Sequence, residues 1–326
     1  MIVVTGATGF IGSNLVADLN EAGVSDIVLV DVLGKEAKWK NIAKRRFLDL
    51  IFPQDFGAFL KGAPKVEAIF HMGANSSTIA SDGDAIFLSN LRASMNVWNW
   101  CSQTRTPLVY ASSAATYGDG SEGFVDDQSP EALDKLRPLN LYGWTKHAFD
   151  KWALAQAARG NAPPSWVGLK FFNVYGPNEG HKGDMQSLIA KVAGPIAEGE
   201  TISLFKSHKD GFTDGEQLRD FVYVRDCTSV MGWLLTNPGV SGLFNLGTGH
   251  ARSFRDLVLA TGNALDKTPA ISFVEMPESI RPNYQYFTQA DMSKLRTAGY
   301  SLPFWSLEAG VRDYVTKYLA CADRFR

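Results

Sequence analysis

The sequence has few cysteines, no long hydrophobic run and no excess of one charge. Its three cysteines, Cys101, Cys227 and Cys321, are odd in number and lack a short spacing, which argues against a disulfide framework or a metal site. No apolar run reaches the roughly 18 residues that a membrane-spanning helix requires. The formal net charge is -2, so we expect neither a nucleic-acid nor a membrane partner. These absences predict a cytoplasmic protein.

Short apolar runs alternate with helical patterns along the 326 residues. The predicted strands are residues 2–4, 27–30, 68–71, 107–111 and 166–172. This alternation predicts an α/β fold with a doubly wound parallel sheet of the Rossmann type. A ligand crevice is then expected at the carboxyl ends of the strands.

The pattern changes after about residue 173, where loops, prolines and glycines become more frequent. Residues 244–247 form one further apolar run that predicts a return to the first sheet. We therefore predict a dinucleotide-binding domain of residues 1–173 and 219–250. Residues 174–218 and 251–326 are assigned to a smaller α/β substrate-binding lobe, in which 206–217 is an exposed loop.

Three glycines, Gly6, Gly9 and Gly12, follow the first strand directly and open a helical pattern. Glycines at this place permit a tight turn and let the backbone approach a pyrophosphate at the helix N-terminus. Their spacing of three and three differs from the familiar dinucleotide fingerprint. The position between strand and helix still favours a dinucleotide cofactor.

Acidic and basic residues near the second strand indicate opposite cofactors. Asp31 ends that strand, where a carboxylate binds the ribose hydroxyls of NAD and repels a 2′-phosphate. Lys38 lies close in sequence and could neutralise such a phosphate. Asp49, after the third strand region, could contact adenine or cap a helix.

A tyrosine and a lysine four residues apart, Tyr142 and Lys146, would lie on one face of a helix. A phenol with a pKa near 10 can exchange protons at neutral pH if a nearby cation favours the phenolate. Alone, the pair also fits a solvated helix face. Ser113, after the strand at 107–111, could donate a hydrogen bond to a substrate oxygen, or could merely cap the local backbone.

These motifs in this order, together with 172–177, resemble the extended short-chain dehydrogenase/reductase superfamily over nearly the whole chain. Within it, residues 111–118, 179–183, 219–224 and 285–291 resemble the ADP-glycero-manno-heptose 6-epimerases. The resemblance implies an isomerase that oxidises C6 of an ADP-heptose to a ketone and reduces it again with the same cofactor, for synthesis of the lipopolysaccharide inner core.

The resemblance also implies roles for four residues. Tyr142 and Lys182 would be the two acid/base groups that serve the two sides of one carbon. Lys146 would hold the nicotinamide ribose and lower the pKa of Tyr142, while Ser113 would orient the substrate oxygen. Lys182 could instead be an exposed loop lysine that binds a phosphate.

The same resemblance implies larger sets of ligand contacts. The implied cofactor contacts are Gly6, Gly9, Phe10, Ile11, Gly12, Asp31, Val32, Lys38, Asp49, Met72, Gly73, Ala74, Asn75, Ser76, Ser89 and Lys146. The implied contacts with the ADP-sugar are Ser76, Ser113, Asn173, Val174, Lys182, Asp184, Lys191, Phe205, Lys206, Ser207, His208, Arg219 and Tyr284. Arg219 suits a diphosphate because a guanidinium can bind two oxygens at once, although a structural ion pair is the alternative.

Two departures from the family pattern concern the ligands. The family carries a basic residue near position 53 for the 2′-phosphate, whereas this chain has Pro53, and residues 207–218 form a longer connection than usual. The resemblance implies tightly bound NADP, one per subunit, while Asp31 and Pro53 leave NAD open. It also implies a homo-oligomer, specifically a homopentamer.

Other functions of the same superfamily fit the sequence less well. Dehydratases carry an Asp-Glu pair where this chain has Ala114 and Ala115. A UDP-hexose 4-epimerase needs no second base equivalent to Lys182. A non-enzymatic regulator that binds NAD(P) would lack Tyr142 and Lys146, both of which are present here.

Overall fold

A computed structural model describes residues 1–62, 65–78, 81–278, 280–281 and 284–326. The strands in this part of the chain are β1 (Ile2–Thr5), β2 (Ile27–Val30), β3 (Asp49–Ile51), β4 (Ala68–His71), β5 (Leu108–Ser113), β6 (Trp166–Phe171), β7 (Asn173–Tyr175), β8 (Ile202–Phe205), β9 (Leu218–Tyr223), β10 (Gly242–Leu246), β11 (Ala251–Ser253) and β12 (Ile271–Val274). The α-helices are α1 (Phe10–Glu21), α2 (Phe56–Gly62), α3 (Gly83–Ile86), α4 (Ala93–Thr104), α5 (Pro130–Leu133), α6 (Leu141–Ala158), α7 (Leu188–Glu198), α8 (Val224–Thr236), α9 (Phe254–Ala264), α10 (Ser293–Thr297) and α11 (Leu307–Tyr314).

Tighter or wider helical turns complete the element list. The 3-10 turns are Lys38–Ile42, Ala114–Tyr117 and Gly180–Met185, and the π-helical turns are Phe87–Arg92 and Val315–Leu319. No helix in the described ranges is both long and apolar enough to cross a membrane.

The main sheet is parallel and has the strand order β10-β6-β5-β4-β1-β2-β3. Strands β1, β2, β4 and β6 are buried along their whole length and β5 is buried except at Ala111, as expected where helices cover both faces. The doubly wound fold predicted from the sequence is confirmed. The return of residues 244–247 to this sheet is also confirmed, because β10 pairs with β6.

Two smaller sheets are built from the second half of the chain. β9 pairs with β7 and β11, and β8 pairs with β12. An apolar core that includes Tyr175, Ile189 and Val311 packs against the first of these sheets. A second core, which includes Val192 and Leu204, packs against the other. Although 219–250 was assigned to the dinucleotide-binding domain, β9 has its strand partners outside the main sheet, and the exact domain division stays a prediction.

Helix α6 places two functional side chains, Tyr142 and Lys146, beside the end of β5. Its start is fixed by Asn140, whose side chain accepts a hydrogen bond of 2.8 Å from the Gly143 backbone. Gly143 packs so closely that an added Cβ would lie 2.8 Å from the Ala115 carbonyl oxygen. The approach therefore requires glycine, and it brings Tyr142 and Lys146 next to Ser113.

Candidate active site

A cleft of about 1220 Å³ opens at the carboxyl ends of the central strands. This is where the doubly wound fold was predicted to bind its ligands. The cleft is lined by many of the predicted site residues: Gly6, Gly9, Phe10, Ile11, Gly12, Asp31, Lys38, Met72, Gly73, Ala74, Asn75, Ser76, Ser113, Tyr142, Lys146, Asn173, Val174, Lys182, Arg219 and Tyr284. The fold thus brings together residues that are far apart in the sequence, from Gly6 to Tyr284.

The glycine turn between β1 and α1 fits the backbone of a dinucleotide. Gly6 has a φ of +65°, and a Cβ at this position would lie 2.7 Å from the Cα of Gly73 at the end of β4. A Cβ on Gly12 would overlap the Gly6 carbonyl oxygen. The turn therefore leaves the N-terminus of α1 open to an anion, which is the geometry that binds a pyrophosphate.

Asp31 and Lys38 form an ion pair at the end of β2. The Asp31 carboxylate accepts hydrogen bonds from the backbone of Thr8 at 2.9 Å and Val32 at 2.7 Å, and from the Lys38 ammonium at 3.1 Å. Lys38 also donates to the Val32 carbonyl at 2.8 Å. The two residues that indicated opposite cofactors thus partly neutralise each other.

Tyr142, Ser113 and Lys146 meet in the cleft beside the end of β5. The Lys146 ammonium donates to the Ala111 carbonyl at 2.6 Å and lies 5.9 Å from the centre of the Tyr142 ring. Burial lowers the pKa of Lys146 to about 8, against an opposing effect of Asp150. At neutral pH this lysine is therefore a buried cation close to the phenol.

The pKa of Tyr142 is raised by burial, while the Ser113 side chain lowers it and Asp150 raises it further. This differs from the prediction that Lys146 brings the pKa of Tyr142 down. The physical reason is that desolvation of the phenolate dominates, and the Lys146 ammonium is directed at the Ala111 carbonyl. Proton exchange at neutral pH then requires additional positive charge near the ring.

Lys182 enters the cleft from the 3-10 turn Gly180–Met185. Its ammonium lies 3.9 Å from the Glu179 carboxylate and 5.0 Å from the centre of the Phe10 ring. Burial lowers its pKa, an effect that Glu179 opposes and Lys191 supports. Lys182 is thus partly desolvated, and it gives up its proton more readily than an exposed lysine does.

The segment 177–182 that carries Lys182 is fastened to the glycine turn and to the first turn of α1. Asn41 donates to the Asn178 carbonyl at 3.1 Å and contacts the His181 ring at 3.2 Å, while also donating to the Thr8 carbonyl at 2.9 Å. Asn14 donates to the Pro177 carbonyl at 2.9 Å, and the Asn178 amide donates to the Ser13 hydroxyl at 3.0 Å. The position of Lys182 therefore depends on the cofactor-binding turn.

Arg219 lines the same cleft from β9. Its guanidinium lies close to two aromatic rings, 5.6 Å from the centre of Phe254 and 5.2 Å from that of Tyr284. The residue is only 7 % exposed, and burial lowers its pKa. Among the described residues, its side chain donates to the Leu218 carbonyl and forms no ion pair, so the alternative of a structural ion pair does not hold there. A buried cation of this kind suits an anionic ligand.

Comparison with known proteins identifies the family. The model of the NAD dependent epimerase/dehydratase family matches residues 2–247. The chain belongs to this family. Two relatives are each 48% identical over 100% of both chains, one from Fusobacterium nucleatum subsp. nucleatum and one from Nitratidesulfovibrio vulgaris, and both are named ADP-L-glycero-D-manno-heptose-6-epimerase. The resemblance and the enzyme class predicted from the sequence are confirmed.

Solved structures of the family have the same architecture. The ADP-L-glycero-D-manno-heptose-6-epimerase of Helicobacter pylori aligns with a TM-score of 0.78 at 26% identity, over 97% of this chain and 95% of that chain. A UDP-glucose 4-epimerase from Thermus thermophilus in complex with NAD aligns with a TM-score of 0.74 at 28% identity, over 96% and 97% of the two chains. Membership in this NAD dependent family makes the cofactor a nicotinamide dinucleotide, as expected.

Several predicted contacts lie outside the lining of the cleft in this epimerase/dehydratase family member. They are Val32, Asp49, Ser89, Asp184, Lys191, Phe205, Lys206, Ser207 and His208. Lys206 and His208 contact Glu275 at 2.8 and 3.2 Å, and Asp49 accepts a hydrogen bond from the Leu50 backbone. The roles of all nine residues in ligand binding stay predictions. The contacts given for Lys206, His208 and Asp49 are with other residues of the protein.

Other cleft residues were not identified from the sequence. Phe221 and Phe254 line the cleft near Arg219, and His181 lies beside Lys182. His181 could have been found, because it belongs to the motif at 179–183. Phe254 gave no local signal, since it reaches the site only through the packing of α9 against the smaller sheets.

Proposed function

We propose that this protein interconverts the D-glycero and L-glycero forms of ADP-glycero-manno-heptose by epimerisation at C6. The observation that carries the proposal is that Tyr142 and Lys182, two candidate proton-exchanging groups, line one cleft together with the dinucleotide turn. The full-length relatives with this name support the choice of substrate. A two-sided proton exchange at one carbon needs two such groups.

Each residue of the cleft has a part in the proposed reaction. A nicotinamide dinucleotide held by the glycine turn and Lys146 would supply reversible hydride transfer at the substrate carbon. Tyr142 exchanges the hydroxyl proton on one side, with Ser113 orienting the oxygen and Lys146 adding positive charge. Lys182, whose pKa is lowered by burial, exchanges the proton on the other side after the 6-keto intermediate has turned.

The ADP portion is assigned to the part of the cleft around Arg219. The guanidinium is buried and contacts the rings of Phe254 and Tyr284, so little conformational freedom remains to be lost on binding. A diphosphate would satisfy its free donors with two charge-assisted hydrogen bonds. The same rings offer aromatic surface to the nucleotide.

We propose NADP as the tightly bound cofactor, one per subunit. Lys38 supports this choice because its ammonium lies at the end of β2, where it could turn from Asp31 towards a 2′-phosphate. Asp31 and Pro53 support NAD instead. Mass spectrometry of the dinucleotide released on denaturation distinguishes the two, and recovery of NAD alone would reject NADP.

Turnover by the purified protein tests the main proposal. ADP-D-glycero-D-manno-heptose is incubated with the protein, and the C6 epimers are resolved by NMR. Conversion to the L-glycero form is expected, whereas conversion of UDP-glucose alone would favour the UDP-hexose 4-epimerase alternative. If neither sugar reacts under any cofactor loading, a regulatory NAD(P)-binding role replaces catalysis.

The Lys182→Met variant tests the two-base reading. It is expected to lose interconversion while it still reduces its bound cofactor with one epimer, because Tyr142 serves that face alone. Full activity of this variant would show that Lys182 is only a binding residue.

The homopentamer implied by the family resemblance is part of the same proposal. Light scattering of the purified protein measures its oligomeric state.

A further inference from the structure

A buried ion pair between Asp150 and Lys170 lies outside the cleft, next to the elements that carry Ser113, Tyr142 and Lys146. The Asp150 carboxylate is on α6, one turn after Lys146, and the Lys170 ammonium is on β6. The two groups are 3.1 Å apart, with side chains that are 0% and 1% exposed. Neither residue lines the cleft, and the predicted reaction uses neither of them.

Asp150 joins α6 to the end of β5. Its carboxylate accepts a hydrogen bond of 2.7 Å from the Ser112 hydroxyl and one of 3.0 Å from the Tyr110 hydroxyl. Ser112 precedes Ser113 directly, so the carboxylate connects the strand that carries Ser113 with the helix that carries Tyr142 and Lys146. These three residues are thereby held by one buried anion.

Lys170 fixes the same strand end from the other side. Its ammonium donates to the Thr116 hydroxyl at 2.7 Å and lies 4.8 Å from the centre of the Tyr117 ring. The Thr116 hydroxyl in turn donates to the Ser113 carbonyl at 2.8 Å. A continuous chain of contacts therefore runs from Asp150 through Lys170 and Thr116 to Ser113.

Stability gives a weak reason for this arrangement. Two buried charges lose their hydration, and replacement of such a pair by apolar residues is often neutral or stabilising. An apolar pair in the same place could not hold the hydroxyls of Ser112 and Thr116. The pair thus supplies a fixed geometry and a fixed charge distribution next to the reacting groups.

We propose that Asp150 and Lys170 are paired positioning residues, which hold Ser113, Tyr142 and Lys146 in register and set the electric field at the phenol and the ammonium. The inference rests on the proposed function in one respect, namely that Tyr142 and Lys146 act in proton exchange. It does not depend on which nucleotide sugar is the substrate.

The field of the pair has a direction that can be measured. Asp150 raises the pKa of both Lys146 and Tyr142. The other titratable groups around Asp150 are Lys170, His147, Tyr110 and Tyr117. Removal of the Asp150 charge should lower the pKa values of Tyr142 and Lys146. Removal of the Lys170 charge should raise both, because a nearby positive charge favours the phenolate and disfavours the ammonium.

The test compares Asp150→Asn with Lys170→Gln, both of which keep a polar group at the site. The pH dependence of kcat/KM is measured with ADP-D-glycero-D-manno-heptose on the protein with its own cofactor. We expect the limbs of the profile to move to lower pH in Asp150→Asn and to higher pH in Lys170→Gln. Each shift should be on the order of one pH unit, as for the removal of one nearby charge in a protein interior.

Asp313→Asn is the matched control. The Asp313 carboxylate also accepts a hydrogen bond from a tyrosine, Tyr223, at 2.7 Å and pairs with Lys317, but it lies on α11 and does not line the cleft. Its profile should not move. A common direction of shift for the Asp150 and Lys170 variants, no shift in either, or an equal shift in the control would overturn the inference.

Two further readouts keep the inference testable. If Lys170→Gln does not fold, the direction of the shift in Asp150→Asn alone decides, because only loss of the negative charge lowers both pKa values. If the parent protein converts no ADP-heptose, the proposed function fails independently. The pair is then tested by the ultraviolet titration of tyrosinate in the protein with and without Asp150→Asn, with Tyr142→Phe as the blank, and an unchanged Tyr142 titration would overturn it.

Discussion

Replacement of Lys146 by methionine should make the protein more stable while it destroys turnover. Lys146 is buried, and its pKa is lowered from 10.5 to about 8 because burial penalises the ammonium. Between these values the folded protein binds fewer protons than the unfolded chain. The free energy of unfolding of the parent therefore rises as pH increases from about 8 to 10.5, and below pH 8 the full penalty is present.

The size of the effect follows from the two pKa values. The interval between 10.5 and about 8 corresponds to about 3 kcal/mol of penalty at neutral pH. The Lys146 side chain also donates to the Ala111 carbonyl, and loss of this hydrogen bond costs about 1 kcal/mol. Lys146→Met is thus expected to raise the free energy of unfolding by about 2 kcal/mol at pH 7.

Urea denaturation of the cofactor-free proteins measures this difference. The advantage of Lys146→Met should be constant below pH 8 and should shrink as pH rises above 8. By about pH 10.5, where the burial penalty is absent and only the lost hydrogen bond remains, the variant should be less stable than the parent by about 1 kcal/mol. Lys44→Met serves as the control, because Lys44 pairs with Asp323 at the surface and its loss should change stability by less than about 0.5 kcal/mol. A variant that is less stable than the parent at pH 7, or a difference in stability that does not vary with pH, would refute the conclusion that Lys146 is a cation destabilised by burial.

Four other changes have definite expected outcomes. Tyr142→Phe should lower the rate of epimerisation on the order of 10² to 10⁴ without changing the urea midpoint, as for loss of one acid/base group. Arg219→Met should weaken ADP binding, measured by calorimetry, about 10- to 100-fold, and unaltered binding would place the diphosphate elsewhere. Lys38→Ala should reduce retention of NADP more than that of NAD, which quantification of the released dinucleotides detects. Gly6→Ala should yield protein with little bound cofactor, since the added Cβ would lie 2.7 Å from the Gly73 Cα, and full cofactor content would contradict the geometry of the turn.

Local patterns in the sequence were sufficient for the sheet and for the centre of the site. The glycine turn, Asp31, Ser113 and the Tyr142 and Lys146 pair each follow or begin an element whose periodicity is strong. Parallel strands bring their carboxyl ends to one edge, so the meeting of these residues could be predicted from the order of elements alone. The resemblance added Lys182, which no periodicity indicated.

Contacts between distant segments could not be predicted in the same way. Arg219 is a buried cation in the fold, where the distant residues Phe254 and Tyr284 bring their ring centres to 5.6 and 5.2 Å from its guanidinium. Lys170 and Asp150 lie in ordinary strand and helix patterns, and their pairing results from the packing of α6 against β5 and β6. The pKa of Tyr142 differs from the expectation mainly because the surrounding segments bury the phenol. The direction of the Lys146 side chain likewise depends on the Ala111 carbonyl of a distant strand.

The fastening of segment 177–182 to α1 and the glycine turn bears on how the protein obtains its cofactor in the cell. Exchange of the dinucleotide past this segment would break contacts that Asn14, Asn41 and Asn178 make across the boundary. If the dinucleotide leaves past this segment, we expect its exchange to be slow compared with turnover. The redox state of the dinucleotide at the time of binding, rather than at the time of catalysis, would then set the proportion of working molecules.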